Sequence, residues 1–398
     1  MVLGFGKAGA RMARGLEDVL GHRISDGLVV VKRGHGEVLE HMELIEAAHP
    51  VPDESSVRAA RRILELAHQA DERTLVVLLV SGGGSAILCA PWQDAEHQLS
   101  LDDKAAVTAV LLASGAAIHD VNTVRRHLSA VKGGRLAAAL APATVISLIL
   151  SDVLGDDLSS IASGPTAPDA TTWADALAVV ERYQLARRLP TAAMALLRDG
   201  LDGNVADTVK PGARVFDRVS NIVIGSNRQA ALAAMAKAQA LGYRTLFLGS
   251  RIACEAREAA KFYLGMAASC ADHQEPLAGP ACIIGGGETT VTLSGPGKGG
   301  RNQEMALAFA CGLIDLEPWL AERLCFLSVG TDGNDGPTDA AGAYADVGVL
   351  AMAGQAGLDP RGALAANDSY PLHEAAGSLL VTGPTNTNVC DLQVVLIA

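Results

Sequence analysis

A series of short apolar runs, among them Leu28 to Val31, Leu75 to Val80, Val145 to Ser151 and Phe326 to Val329, is continuous and rich in β-branched residues. Strands that read this way are buried on both faces. Between them lie Ala-rich stretches with helical character, such as Ala8 to Val19, Ser56 to Gln69 and Gln229 to Leu241. This alternation constrains the chain more than any other feature, because it implies βαβ units and a largely parallel sheet. Further strands are expected at Leu44 to Ala47, Ile222 to Gly225, Thr245 to Leu248, Cys282 to Ile284, Val291 to Leu293, Leu379 to Thr382 and Gln393 to Ile397. The shorter spacing of the last third predicts a mixed sheet there.

With 398 residues, 49% of them hydrophobic, two domains are expected rather than one. The boundary is set at 1–212 for a Rossmann-like parallel-sheet domain and 213–398 for a smaller mixed-sheet α/β domain, each of three layers. The polar stretch Gly203 to Arg218, with Pro211-Gly212, is the expected linker. Ser100 with Asp103 signals a helix start that runs toward Gly115. A formal charge of -12 without a basic stripe argues against a nucleic-acid partner. The seven cysteines contain no CxxC pair, which excludes a zinc ribbon and suits a reducing cytoplasm. No apolar run approaches the roughly 20 residues of a membrane helix. Val2 to Gly6 reads as the tail of a strand, and an upstream segment is expected in the native gene.

Several loops carry anion chemistry. Gly4-Phe5-Gly6-Lys7-Ala8-Gly9 fits the dinucleotide fingerprint, but the second strand ends Val31-Lys32-Arg33 instead of on an acid. Its other reading places Lys7 at a helix start against an anionic substrate. Ser81-Gly82-Gly83-Gly84-Ser85, after an apolar strand, forms a nest of N–H donors without the GKT ending of a Walker loop. Arg125, Arg126, Lys132 and Arg135 add cations at helical spacing, and a solvated basic helix face is the plain alternative. Asp152 and Asp157 follow the strand Val145 to Leu150, where a Mg²⁺ ligand or a base for a hydroxyl belongs; capping a helix is the plain alternative for Asp157. Glu288, Arg301 with Asn302, and Asp332 stand in three glycine-rich loops of the last third. One arginine fork, glycine loops and separate carboxylates are the equipment of phosphoryl transfer.

The strings GKAGARMA, HPVPD, SGGGSA, NTVRRHLSAVKGGRLA, SDVLGDDLSSIASGPT, GGGETTVTLSGPGKGGRNQEMALA and TDGNDGPTDAAGA together resemble the glycerate 2-kinases of the MOFRL family, whose members also go by hydroxypyruvate reductase. The resemblance spans nearly the whole chain. It implies transfer of the ATP γ-phosphoryl group to the 2-hydroxyl of D-glycerate with a divalent cation, Mg²⁺, and a catalytic site in the cleft between two α/β domains. By motif it places the catalytic lysine on Lys7, the acid of the GGGETT loop on Glu288 and the catalytic arginine on Arg301, with Asp332 as the fourth member. Ser81, Gly82, Gly83, Gly84, Ser85, Arg125, Lys132 and Asn302 are the expected substrate and nucleotide contacts, and Arg301, Lys132 and Arg125 compete for the glycerate carboxylate. Family members usually carry a helical segment ahead of GKA, and usually a glycine where Cys254 stands. An NAD(P)H-dependent hydroxypyruvate reductase is the alternative activity, a sugar-acid sensor without turnover is a third reading, and a homodimer is left open.

Overall fold

The computed structural model describes residues 1–398 and divides them into two compact units, Met1–Ile224 and Gly225–Ala398. The first is built on strands β1 (Val2–Phe5), β2 (Gly27–Lys32), β3 (Glu43–Ala47), β4 (Leu75–Val80), β5 (Thr144–Leu150) and β6 (Val219–Gly225), in the order β3-β2-β1-β4-β5-β6. The pairs β3/β2, β2/β1, β1/β4 and β4/β5 are parallel. The linker expected over Gly203 to Arg218 does not end this unit, because the strand that follows it takes the open edge of β5.

Alternate residues of these strands enter two cores. Leu3, Phe5, Leu28, Val30, Leu78 and Val80 pack beneath the helix Glu54–Ala67, while Val2, Val29, Val31 and Leu79 pack against Ala10 and Ala13 of the helix Gly9–Leu20. Burial on both faces is what the unbroken apolar runs required. The strand tail read at Val2 is a central strand, hydrogen-bonded to β2 and β4. Ser100 and Asp103 form the expected capping box. A separate core of helices, centred on Trp173, Val124, Leu111 and Leu196, adds a layer that the strand pattern did not indicate.

The second unit contains β7 (Arg244–Ile252), β8 (Ala281–Gly287), β9 (Leu324–Gly330), β10 (Gly342–Ala345), β11 (Leu379–Leu380) and β12 (Asp391–Ile397), in the order β11-β10-β9-β12-β8-β7. Only β7/β8 is parallel, so this sheet is mixed as expected. Ile283, Phe326, Val395 and Ile397 meet the helices Ala256–His273 and Arg301–Leu313 on one face; Cys282 and Ile284 meet Ala231 and Ala238 on the other. The strand expected at Val291 to Leu293 is absent. There the backbone partners are side chains: Thr292 N donates to Glu255 and Ser294 N to Asn367. β10, of sequence Gly-Ala-Tyr-Ala, was hidden by its small residues. No helix is long and apolar enough to cross a membrane.

Candidate active site

In the first unit, parallel register fixes which loops emerge together. Phe5 lies opposite Val80, and Val80 opposite Ile149. Gly6-Lys7, Ser81 to Gly84 and Ser151-Asp152 therefore leave the sheet side by side at the carboxyl ends of adjacent strands, where α/β sheets bind ligands. The turns lock onto one another: Lys7 N donates to Gly82 O at 2.9 Å, and Ala8 N to Ser81 Oγ at 3.1 Å. Gly82 is a close-approach position, since a Cβ there would overlap the Asp152 carboxylate. At Gly83 a Cβ would fall 2.9 Å from the His49 ring and 3.2 Å from the Lys7 side chain. Burial, then the charges of Lys7 and Lys32, hold His49 down at about 4, so it faces the loop as a neutral ring at pH 7.

Ser85, the last residue of the loop, turns to a buried network. Lys132 Nζ donates to Ser85 Oγ at 2.6 Å and Ser85 O at 3.1 Å, and Ser85 Oγ lies 2.6 Å from Ser163 Oγ. The plain alternative of a solvated basic helix face does not hold, because one helix ends at His127, the next begins at Arg135, and Arg126 and Lys132 are each 1% exposed. Burial, then Arg125 and Lys104, pull the Lys132 ammonium well below its usual range. Asp157 is exposed and accepts from Ser159 N, Ser159 Oγ and Ser160 Oγ, the local turn-capping arrangement. No three His, Cys, Asp or Glu side chains gather as a self-contained metal cage.

In the second unit, antiparallel register does the same work. Asp391, which opens β12, lies opposite Gly287 on one side and Gly330 on the other. Glu288, Asp391 and the Thr331-Asp332 turn are thereby brought to one end of the three central strands β8, β12 and β9. Arg301 opens the helix Arg301–Leu313 and clamps the buried Asp391 through Nε at 2.6 Å and Nη2 at 3.0 Å, while Nη1 reaches Glu288 at 2.8 Å. Burial alone lowers the Arg301 guanidinium, and the bonds and charge of Asp391, with Glu288, more than reverse that. Burial pushes the Asp391 carboxyl up to about 6 against the pull of Arg301.

The same helix start is fixed by Asp335, which is 2% exposed. Its carboxylate accepts from Asn302 N at 3.0 Å and Gln303 N at 2.9 Å, placing negative charge on the positive end of the helix. Gly300 makes room for it, because a Cβ there would strike the carboxylate. Asn302, expected at the ligand, is 1% exposed; its amide goes to Asp335 and its oxygen accepts from Ser328. Asp332 accepts from Asn334 N at 3.0 Å within its own turn. Asp335 and Asp391 were not singled out from sequence. Asp335 shares an acid-rich string with Asp332 and Asp339, and Asp391 stands alone 90 residues from Arg301.

The fold is that of a two-unit α/β protein whose glycine loops, lysine and paired arginine equip it to handle anions. Residues 1–198 match a domain of unknown function (DUF4147), and residues 281–391 match the MOFRL family. Over 397 residues the chain is 40% identical to a glycerate 2-kinase of Pyrococcus horikoshii, covering all of this chain and 87% of that protein. It is 43% identical to a putative hydroxypyruvate reductase of Agrobacterium vitis, with 100% and 87% covered. A solved glycerate kinase structure from Thermotoga maritima superimposes with a TM-score of 0.91 at 41% identity, covering 100% of this chain and 91% of that one. The chain belongs to the family of these glycerate 2-kinases, the MOFRL family.

Proposed function

We propose that the protein is a glycerate 2-kinase that moves the γ-phosphoryl group of ATP to the 2-hydroxyl of D-glycerate, giving 2-phosphoglycerate and ADP. The observation that carries this reading is the Arg301 fork, fixed at a helix start by a buried carboxylate and one-third exposed at its side chain. Full-length likeness to relatives of that name supports it.

In the proposed reaction the acceptor oxygen attacks the γ-phosphorus, the bond to the ADP oxygen breaks in line, and the hydroxyl proton passes to a carboxylate. The cations assigned to charge neutralisation are Lys7 and Arg301, and Glu288 helps hold the arginine. Asp332 is the carboxylate assigned to the hydroxyl. Mg²⁺, when bound with the nucleotide, supplies further neutralising charge, and a site with one or two carboxylates plus phosphate oxygens and water is its usual form. Asp152, a hard oxygen donor pressed against the glycine loop, fits that form, whereas Asp157 is committed to Ser159 and Ser160. Gly82 and Gly83 of the glycine loop are assigned to phosphate oxygens, since Ser85 is taken up by Lys132 and Ser163.

The reductase reading is weaker on a specific point. Of the two cations that end the second strand, Lys32 and Arg33, to which an NADP phosphate would have to bind, Arg33 is paired with Asp53 at 2.5 Å. Phosphorus NMR of the full chain with ATP, Mg²⁺ and D-glycerate, beside NADH and NADPH oxidation with hydroxypyruvate, tests the assignment. Formation of 2-phosphoglycerate is expected; hydride transfer without phosphoryl transfer would overturn it.

A further inference from the structure

We infer that Arg125 receives the carboxylate of the acceptor acid and makes the site selective for 2-hydroxy acids over neutral polyols, an inference that rests on the kinase reading. Three arginines of one stretch are treated very differently by the fold. Arg126 pairs with Asp169 at 3.1 Å. Arg135 donates to the carbonyls of Arg126, His127 and Ser129 and lies 4.3 Å over the Trp92 ring. Arg125 makes one long bond, 3.4 Å to Asn122 Oδ1, and its Nε is closed to solvent without a partner.

A guanidinium carries five donors, and a buried cation without a counter-charge is unfavourable. Lys104 and Lys132 deepen the deficit. Both are buried, both repel Arg125, and neither has a carboxylate within ion-pair distance. These three basic groups thus share one field that holds no carboxylate, with Cys89 the one acidic group acting on all of them. The half-buried Arg125 is the member that a ligand can reach.

Two features favour a carboxylate as the missing anion. The planar fork of arginine matches a carboxylate bidentately. The second feature is place: Arg125 Nη1 and Ser163 Oγ both donate to Asn122 Oδ1, and Ser163 Oγ lies 2.6 Å from Ser85 Oγ at the end of the glycine loop, whose Gly82 and Gly83 face Asp152, Lys7 and His49. A 2-hydroxy acid carries its hydroxyl and carboxylate on adjacent carbons, so it requires a cationic subsite beside the point of phosphoryl transfer. Nucleotide phosphate is the other source of an oxyanion, and the test separates the two.

The experiment is steady-state kinetics of Arg125→Met and Arg125→Lys in the full chain, with D-glycerate and its uncharged amide as acceptors, beside calorimetric titration of D-glycerate into nucleotide-free protein. For Arg125→Met the expected result is a loss on the order of 100-fold in kcat/KM for D-glycerate, chiefly in KM. The KM for ATP and the activity on the amide should stay within about threefold, Arg125→Lys should recover part of the loss, and calorimetric affinity should fall in step. Equal losses on acid and amide, or a loss confined to the KM for ATP, would overturn the inference. If the wild type transfers no phosphoryl group to D-glycerate, the kinase reading fails and calorimetry decides alone. Binding that depends on Arg125 would then uphold the subsite; binding that does not, or no binding, would overturn it.

Discussion

At the scale of single residues, Arg301 joins stability to the proposed chemistry. It is the counter-charge of Asp391, whose side chain is 1% exposed, and it presents its Nη1 edge to the half-exposed Glu288. Arg301→Ala is expected to lower turnover by a few hundred-fold, roughly 3 to 4 kcal/mol of transition-state stabilisation. It should also cost about 3 kcal/mol of folding stability, because a buried carboxylate loses its partner. Lys7→Ala is expected to show the rate loss with little change in stability, since no ion pair holds the Lys7 side chain. Paired kinetics and urea unfolding check both variants; a rate loss below about tenfold in each would remove their assigned roles. Lys7, Glu288 and Arg301 were legible in the sequence because each sits in a glycine-rich motif. Asp391 was not, because its meaning comes from strand register and its neighbours read as an ordinary strand entry.

At the scale of elements, the start of the helix Arg301–Leu313 depends on one glycine and one buried acid. Gly300→Ala is expected to destabilise the second unit by about 2 kcal/mol or more, since the new methyl meets the Asp335 carboxylate and backbone. Thermal unfolding of the variant checks this, and an unchanged midpoint would contradict the packing described. A second element-level contact is pH-sensitive. His97 joins the loop Trp92 to Leu99 to the helix Thr191–Leu201, bonding Asp199 at 2.9 Å and Asp94 at 3.0 Å. The bond to Asp199 raises its pKa, burial opposes, and Asp94 adds to the rise. Because the folded value lies above the unfolded one, near 6.5, the contribution is fully present below about pH 6.5 and is lost as pH rises through the folded value. The stability difference between wild type and His97→Asn, followed by urea unfolding from pH 5.5 to 9, should therefore shrink with rising pH.

At the scale of the whole molecule, the chain divides into two compact units at Ile224 and Gly225. Gly225–Ala398 holds a complete six-stranded sheet with helices on both faces, and expressed alone it is expected to give a cooperative thermal transition. A flat melting curve would mean that its stability is borrowed. Proteolysis should fall near 225 rather than near 212, because β6 is tied to β5 as a sheet edge.

The amino-acid sequence by itself determined the class of fold, since unbroken apolar runs cannot be satisfied except as strands covered on both faces, and Ala-rich stretches between them supply the cover. It also determined the inventory of anion-handling groups, because glycine loops and isolated cations mark themselves locally. Tertiary structure decided how those groups are used. Whether a cation is solvated, as the basic face of Arg125 to Arg135 suggested, or buried, as Lys132 is, depends on helices that pack from far along the chain. Which acid meets Arg301 depends on β12 lying between β8 and β9. Register and burial are pairwise properties of distant segments, and no local pattern encodes them.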